Sequence, residues 1–296
     1  MMAGRGLAAA VAAVVVMLGA ASATAAPPVG TPDVSTMTLQ AADFPGAKAT
    51  GQLIENTALY QAYERVIQLK SPYGSSHYVE LESIAILAPD TASAAQGYAQ
   101  LGHTFSSKAG RLKLVKQFEK GTNVSFKSTQ LVKPRALGVS DSSMEIGFVA
   151  KVDGRSLDVS VSLLRLDRVV VEDAALGTGK AVAKADGIAL TRLAASHTAA
   201  ALVPIDVSAP AIIGTAAQGQ TLTASTGGWG DAPTGYAYQW QRCDATGTTC
   251  SDVVGATTSS YPVTAADAGA TLRVNVTASN RFGSVAASSV ATGIVS

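Results

Sequence analysis

The run MEIGFVAKVDGRSLDVSVSLL, from Met144 to Leu164, leaves this chain little choice of local structure. Met144, Ile146, Phe148, Ala150 and Val152 recur at every second position before Asp153-Gly154, and Leu157, Val159, Val161 and Leu163 do so after it. Successive side chains on a strand point to opposite faces, so each arm carries one apolar face. Asp-Gly supplies the backbone freedom that a tight two-residue turn needs, and the expected result is an antiparallel hairpin.

The rest of residues 33–203 extends this pattern into an α+β domain, an antiparallel sheet with packed helices. YERVIQLK and HYVELESIAILA flank the turn-rich SPYGSS and read as a second hairpin. Ala94, Tyr98, Leu101 and Phe105 recur at helical spacing, with Asp90 or Thr91 placed to cap the start. RLDR turns the chain into VVVED, and a last helix is expected over about Lys180 to Leu202, with Ala185, Ala189, Leu193 and Ala200 on one side. Antiparallel strands followed by a helix, twice over, point to a sheet with helices against it.

Composition changes near Leu202. Lysine vanishes downstream, and Thr, Ser, Gly, Ala and Val take over. LVPIDVSAP reads as a linker. Residues 205–296 then break into short apolar-alternating segments separated by turn residues, the pattern of a β-sandwich. Tyr236, Tyr238 and Trp240 share one strand face, and Leu272, Val274, Val276 and Ala278 share another, with Trp240 the expected core residue.

The segments GQTLTAS, YQWQRC, GATTSSYPVTAADAG and LRVNVTASN resemble the bacterial immunoglobulin-like repeats of secreted and surface actinobacterial proteins. The resemblance covers nearly all of residues 209–295 and implies a surface spacer or binding module. No cysteine stands on QTLTAS or TLRVNVTAS, so the core around Trp240 is expected to close by aliphatic packing. Thr271 occupies the place of the tyrosine that usually follows the turn Asp267-Ala-Gly269. LQAADFPGA, LGVSDSS and RLDRVVVE give the first domain a slighter resemblance to secreted actinobacterial sensor-type domains, from which no functional residue is carried over.

Cys243 and Cys250 are the only two cysteines, separated by DATGTT. A metal site needs more ligands, and no histidine lies in this part of the chain. A redox pair usually sits two residues apart. A disulfide stapling a hairpin on or near the outer face is the expected reading. It fits the leader: Arg5, an apolar run from Leu7 to Ala21 and the small residues Ala23-Thr24-Ala25 read as a signal peptide over residues 1–25. The run is short for a spanning helix. The mature protein is therefore expected outside the cytoplasm, where disulfides persist and no transmembrane segment follows.

The net charge of +1 does not indicate a nucleic-acid partner. No cofactor or metal motif is found. His77 with Glu80 and Glu82 reads as polar alternation on a half-exposed strand; His103 and His197 fall in helices without nearby ligands. Ser140 lacks the last glycine of a nucleophile elbow, since Ser142 stands there. GTGKA, Gly177 to Ala181, lacks the upstream glycine of a phosphate loop. From Lys108 to Arg135 there are eight basic residues against Glu119 alone, and Lys113, Lys116 and Lys120 fall on one helical face. That face suits an anionic cell-envelope polymer. Trp229, in GGWGD, offers a ring to a glycan, or packs as a turn residue.

The expected protein is a non-enzymatic secreted or envelope-associated binding protein. Its partner is an anionic envelope polymer, a glycan or another surface protein. The alternatives are a secreted hydrolase using Ser140, Asp141 and His197, or His77 with carboxylates, and an extracellular sensor acting through a partner.

Overall fold

The computed structural model describes residues 29–56, 60–122, 124–179 and 181–296. They form two compact units, Asp33–Ala201 and Leu202–Ser296, with residues 29–32 belonging to the second. The expected leader, residues 1–25, lies outside the described residues.

The first unit is built on one antiparallel sheet. Its elements are β1 (Lys48–Asn56), β2 (Gln61–Tyr73), β3 (Tyr78–Leu87), helices α1 (Thr91–Ser106) and α2 (Lys108–Thr122), β4 (Ser128–Ala136), β5 (Ser142–Val152), β6 (Arg155–Leu166), β7 (Val169–Gly177) and helix α3 (Lys184–Ala201). The seven strands lie in the order β1-β2-β3-β7-β6-β5-β4, so β7 is central. The hairpin read from Met144 to Leu164 is β5 and β6. Asp153 and Gly154 both take positive φ, 46° and 80°, at its turn.

Helices cover both faces. On one, Leu101 and Phe105 of α1 and Leu114, Val115 and Phe118 of α2 pack on Ile84, Ile86, Ile146, Phe148, Val161 and Leu163. Asp90 caps α1 by accepting from Ser93 N at 2.7 Å, and Ser107 Oγ accepts from Gly110 N at 2.9 Å at the start of α2. On the other face, α3 lies close enough that a side chain at Gly187 would collide with the Glu145 carboxylate. This helix begins four residues later than the sequence pattern suggested, and Lys180 lies outside the described residues.

Two strands were not visible in the sequence. β1 and β4 are the sheet edges, and β4 carries Pro134 at a break in its register with β5, where a missing N–H costs nothing. The basic run from Lys108 to Arg135 is therefore part helix and part edge strand.

The second unit is all β: β8 (Ile205–Ser208), β9 (Ile212–Ile213), β10 (Thr221–Ala224), β11 (Gly228–Gly230), β12 (Gly235–Cys243), β13 (Cys250–Asp252), β14 (Ser260–Pro262), β15 (Thr271–Asn280) and β16 (Gly283–Ser288). A four-stranded sheet, β13-β12-β15-β16, and a three-stranded sheet, β14-β10-β9, share a core; β8 and β11 pair separately. The supposed linker thus contributes strand β8, because IDVS finds a partner in GWG.

Trp240 is fully buried, and its indole Nε1 donates to Thr258 O at 2.9 Å. Tyr261 stacks on it with ring centroids 5.4 Å apart. The core is thus closed by an aromatic ring as well as by aliphatic side chains, because β14 places Tyr261 opposite Leu222.

Cys243 and Cys250 form the disulfide and are directly opposite in the β12–β13 pair. Cys243 is buried rather than near the outer face. The intervening loop curls back, its Asp244 carboxylate accepting from Thr246 N, Thr248 N and Thr249 N, while Thr271 Oγ1 donates to Asp244 O.

Candidate functional site

The central strands carry carboxyl groups where a sheet ordinarily carries aliphatic side chains. Opposite residues form three rows across β2, β3 and β7: Glu64, Ile84 and Glu172; Val66, Glu82 and Ala174; Gln68, Glu80 and Leu176. Paired residues share a face, so Glu64, Glu80, Glu82 and Glu172 all point to the side covered by α1 and α2. Glu82 sits at the centre, with Glu64 and Glu172 on its two diagonals, a spacing within reach of long side chains. All four are buried, Glu82 at 0% and Glu172 at 1% exposure.

Their hydrogen bonding divides them. Gln52 Nε2 donates to Glu64 Oε2 at 2.5 Å, and Gln68 Nε2 donates to Glu80 Oε2. Both amides are exposed, so the outer two glutamates are tied to the rim of the sheet. No ordinary hydrogen bond reaches either oxygen of Glu82 or of Glu172. Glu64 lies within side-chain hydrogen-bonding reach of Glu82, so Glu82 is not without a neighbour on this face. The base in register on this face is Lys48, opposite Gln68 and exposed to solvent. Arg65 points to the other face, where its guanidinium binds Thr38 Oγ1 and Ser35 O.

Burial without a cation disfavours the ionised form. Burial, then the neighbouring carboxyls, pushes Glu82 up to about 10. Burial and Asp173 push Glu172 up to about 8. Burial also raises Glu80, against its bond from Gln68. Burial and the neighbouring carboxyls thus favour the uncharged acid at both Glu82 and Glu172.

Behind the sheet, Asp173 occupies the opposite face of β7 and accepts from Ser83 Oγ at 2.6 Å; Ser83 in turn accepts from Leu39 N. Burial pushes Asp173 up to about 7. Nearer α3, Glu145 is paired with Arg135 at 2.5 Å and accepts from Ser160 Oγ. Asp186 accepts from Ser76 N and Ser75 Oγ, and Asp158 accepts from Gly179 N. These bonds pin the β2–β3 turn to α3 and the β7–α3 loop to β6, a structural task.

The residues singled out by sequence fare differently. Lys113, Lys116 and Lys120 lie together on the exposed face of α2, opposite Leu114, Val115 and Phe118. Trp229 lies in strand β11 rather than in a turn; it is half-buried, with its Nε1 donating to Thr226 O at 2.7 Å. Ser140, Asp141 and His197 do not assemble. Asp141 accepts from Asp167 N and faces Arg165 at 3.7 Å, whereas His197 Nε2 meets Asp43 at 3.0 Å. His77 is an exposed turn residue with φ 55°, and its Nδ1 meets Ser75 O. Glu80 and Glu82 are buried rather than half-exposed.

Among the described residues no group of three or more His, Cys, Asp or Glu is arranged to hold a metal ion. None of the described helices is long and apolar enough to cross a membrane. The formed disulfide suits an oxidising compartment. The sequence holds two Asn-x-Ser/Thr triplets, Asn123-Val-Ser125 and Asn275-Val-Thr277; Asn275 lies on β15 and accepts from Ser288 Oγ, and Asn123 lies outside the described residues.

No family model matches the chain and no curated protein is similar to it. Among solved structures it is similar to the extracellular domain of PknH from Mycobacterium tuberculosis, at 7% identity over 57% of this chain and 96% of that one, with a TM-score of 0.35, a value that does not establish a shared fold.

Proposed function

We propose that this chain is a non-enzymatic extracellular recognition protein that docks on an anionic envelope polymer through α2. The observation that carries this reading is the solvent face of that helix. Lys113, Lys116 and Lys120 stand exposed at helical spacing, and no ion pair holds any of them among the described residues. Charges left free on a rigid helix are positioned for a polyanion, and their attraction fades as salt shortens the Debye length from about 10 Å at 0.1 M to about 3 Å at 1 M. The C-terminal unit, in this reading, is an immunoglobulin-like sandwich serving as spacer or second contact. Its paired sheets about Trp240 and its stapled hairpin support that assignment.

The test is co-sedimentation of the full chain with cell envelopes at low and high salt, alongside K113E/K116E/K120E. Binding that fades with salt and is lost in the variant supports docking through α2. Salt-insensitive binding, or equal binding by the variant, would sink it.

A further inference from the structure

We propose that the docking face read on α2 extends onto Lys127 and Thr129 at the entry to β4, and that its occupant is an extended phosphodiester polymer, a polyol phosphate; this rests on docking through α2. The stripe on the helix is narrow. At about 100° per residue, Lys113, Lys116 and Lys120 lie within about 60° of one another, and the exposed Ala109 continues the line toward the helix start. Lys113 to Lys120 covers about 10 Å of helix. The one acid of α2, Glu119, accepts from Phe126 N at 2.8 Å. That bond returns the chain to the last turn of α2, where Phe126 packs on Phe118 and on Phe148 with ring centroids 5.9 and 5.6 Å apart. Lys127 follows at once, exposed, its N–H bonded to Lys151 O. Thr129 stands opposite Ala150, which lies in the core beneath α1 and α2, so its exposed hydroxyl is on the helical side of the sheet edge. Among the described residues, neither side chain has a hydrogen bond or an ion pair.

The chemistry of this face favours one kind of occupant. The cations are strung along a line instead of converging, so a single small anion meets one or two of them, whereas an extended chain meets all. Lysine ammonium groups are point charges that reach a phosphate oxygen from any direction; planar carboxylates are best held by a guanidinium fork. The arginine of this helix, Arg111, is engaged elsewhere, donating to Phe105 O at 3.0 Å and to Ser106 O at 2.6 Å at the end of α1. A hydroxyl beside the cations suits a polymer that carries hydroxyls between its phosphates. A lipid surface fits less well. The apolar face of α2 is buried on the sheet, and of its large apolar side chains only Leu112 is exposed, which leaves little to enter a bilayer.

The experiment is calorimetry of the full chain with a dimer and an octamer of glycerol phosphate over a series of salt concentrations, beside polygalacturonate and phosphatidylglycerol vesicles. The expected result is saturable binding of the octamer, about 100-fold tighter than of the dimer. Its log affinity should fall with log salt with a slope of about 3, since each of four lysines displaces about 0.7 of a counterion. K116A and K127A should each lower that slope by about 0.7, and T129A should weaken the octamer about fivefold at an unchanged slope. Equal affinity for dimer and octamer, equal or tighter binding of polygalacturonate, or binding to the vesicles without binding of the octamer overturns the polymer; all three are read on the unsubstituted protein. An unchanged slope in K127A, or an unchanged affinity in T129A, confines docking to α2 and overturns the extension. Failure of docking on α2 itself shows separately, as envelope binding kept by K113E/K116E/K120E.

Discussion

Replacing Glu172 by glutamine removes an ionisable group while nearly preserving its shape. Glu172 lies on the central strand, 1% exposed, with no hydrogen-bond partner. Burial raises it from 4.5 to about 8 in the folded state. The folded protein thus keeps a proton that the unfolded chain gives up. Such a group contributes fully below its unfolded value, and the contribution is lost as pH rises through the folded one, here from about 4.5 to about 8. At 1.36 kcal/mol per pH unit, holding the group neutral at pH 7 costs about 3 kcal/mol. Glutamine escapes that cost but buries an extra N–H pair, at about 1–2 kcal/mol. Glu172→Gln should therefore be more stable than the wild type by about 1–2 kcal/mol at pH 7, and less stable by a similar amount near pH 4.5. Both tryptophans, Trp229 and Trp240, lie in the second unit. Urea unfolding by far-ultraviolet circular dichroism follows the sheet, and tryptophan fluorescence serves as a control that should not cross over. Destabilisation at both pH values would show that Glu172 is ionised and paired, and would refute the reasoning.

Two further predictions concern the second unit. Cys243→Ser with Cys250→Ser frees a loop of seven-residue separation, which lowers stability by about 2.5 kcal/mol in the chain-entropy model. Tryptophan fluorescence in urea should show the shift, and an unchanged midpoint would mean that the hairpin needs no staple. Asp267 is fully buried and accepts from Arg242, from Tyr261 OH at 3.0 Å and from Thr264 N at 2.8 Å. Burial alone would raise its carboxyl, but these donors hold it below the usual range. Asp267→Ala should cost about 2–3 kcal/mol, since it strands a buried hydroxyl and a half-exposed guanidinium. Tyr261→Phe should cost about 1 kcal/mol, and an Asp267→Ala loss no larger than that would contradict the network.

Much of the architecture was legible where side-chain period and turn chemistry agree. The β5–β6 hairpin followed from strict alternation around Asp153-Gly154, and α1 from Asp90 and its apolar spacing. The edge strands were not legible. KATGQLIEN and STQLVKPRA have no apolar face of their own, and pairing with β2 and β5 holds them. IDVS was mistaken for a linker for the same reason, since its partner GWG lies twenty residues downstream.

The carboxyl cluster was hidden by the rule that makes strands readable. Glu80 and Glu82 alternate with Val79, Leu81 and Ser83, which reads as a solvent face beside a buried one. Only a sheet sealed on both sides turns that reading over. The clue was in the neighbours: VVVEDAALG sets two acids inside a run otherwise buried throughout, and IAIL continues the same face of β3 with Ile84 and Ile86. The hydroxyls of VSVSLL carried a similar message, for Ser160 and Ser162 are as buried as Val159 and Val161 beside them. The lysine face was legible because three like charges at helical spacing need no tertiary partner. Tyr261 over Trp240 was not, because the stacking joins two sheets.

Whether Glu82 and Glu172 are uncharged is the central claim about the middle of the sheet. Carboxyl-carbon resonances of glutamate-labelled protein, followed from pH 4 to pH 9, read this directly. Two resonances should keep the position of a protonated acid at pH 7, and vanish in E82Q and E172Q respectively. Titration of every glutamate near the ordinary value of about 4.3 would contradict a neutral pair.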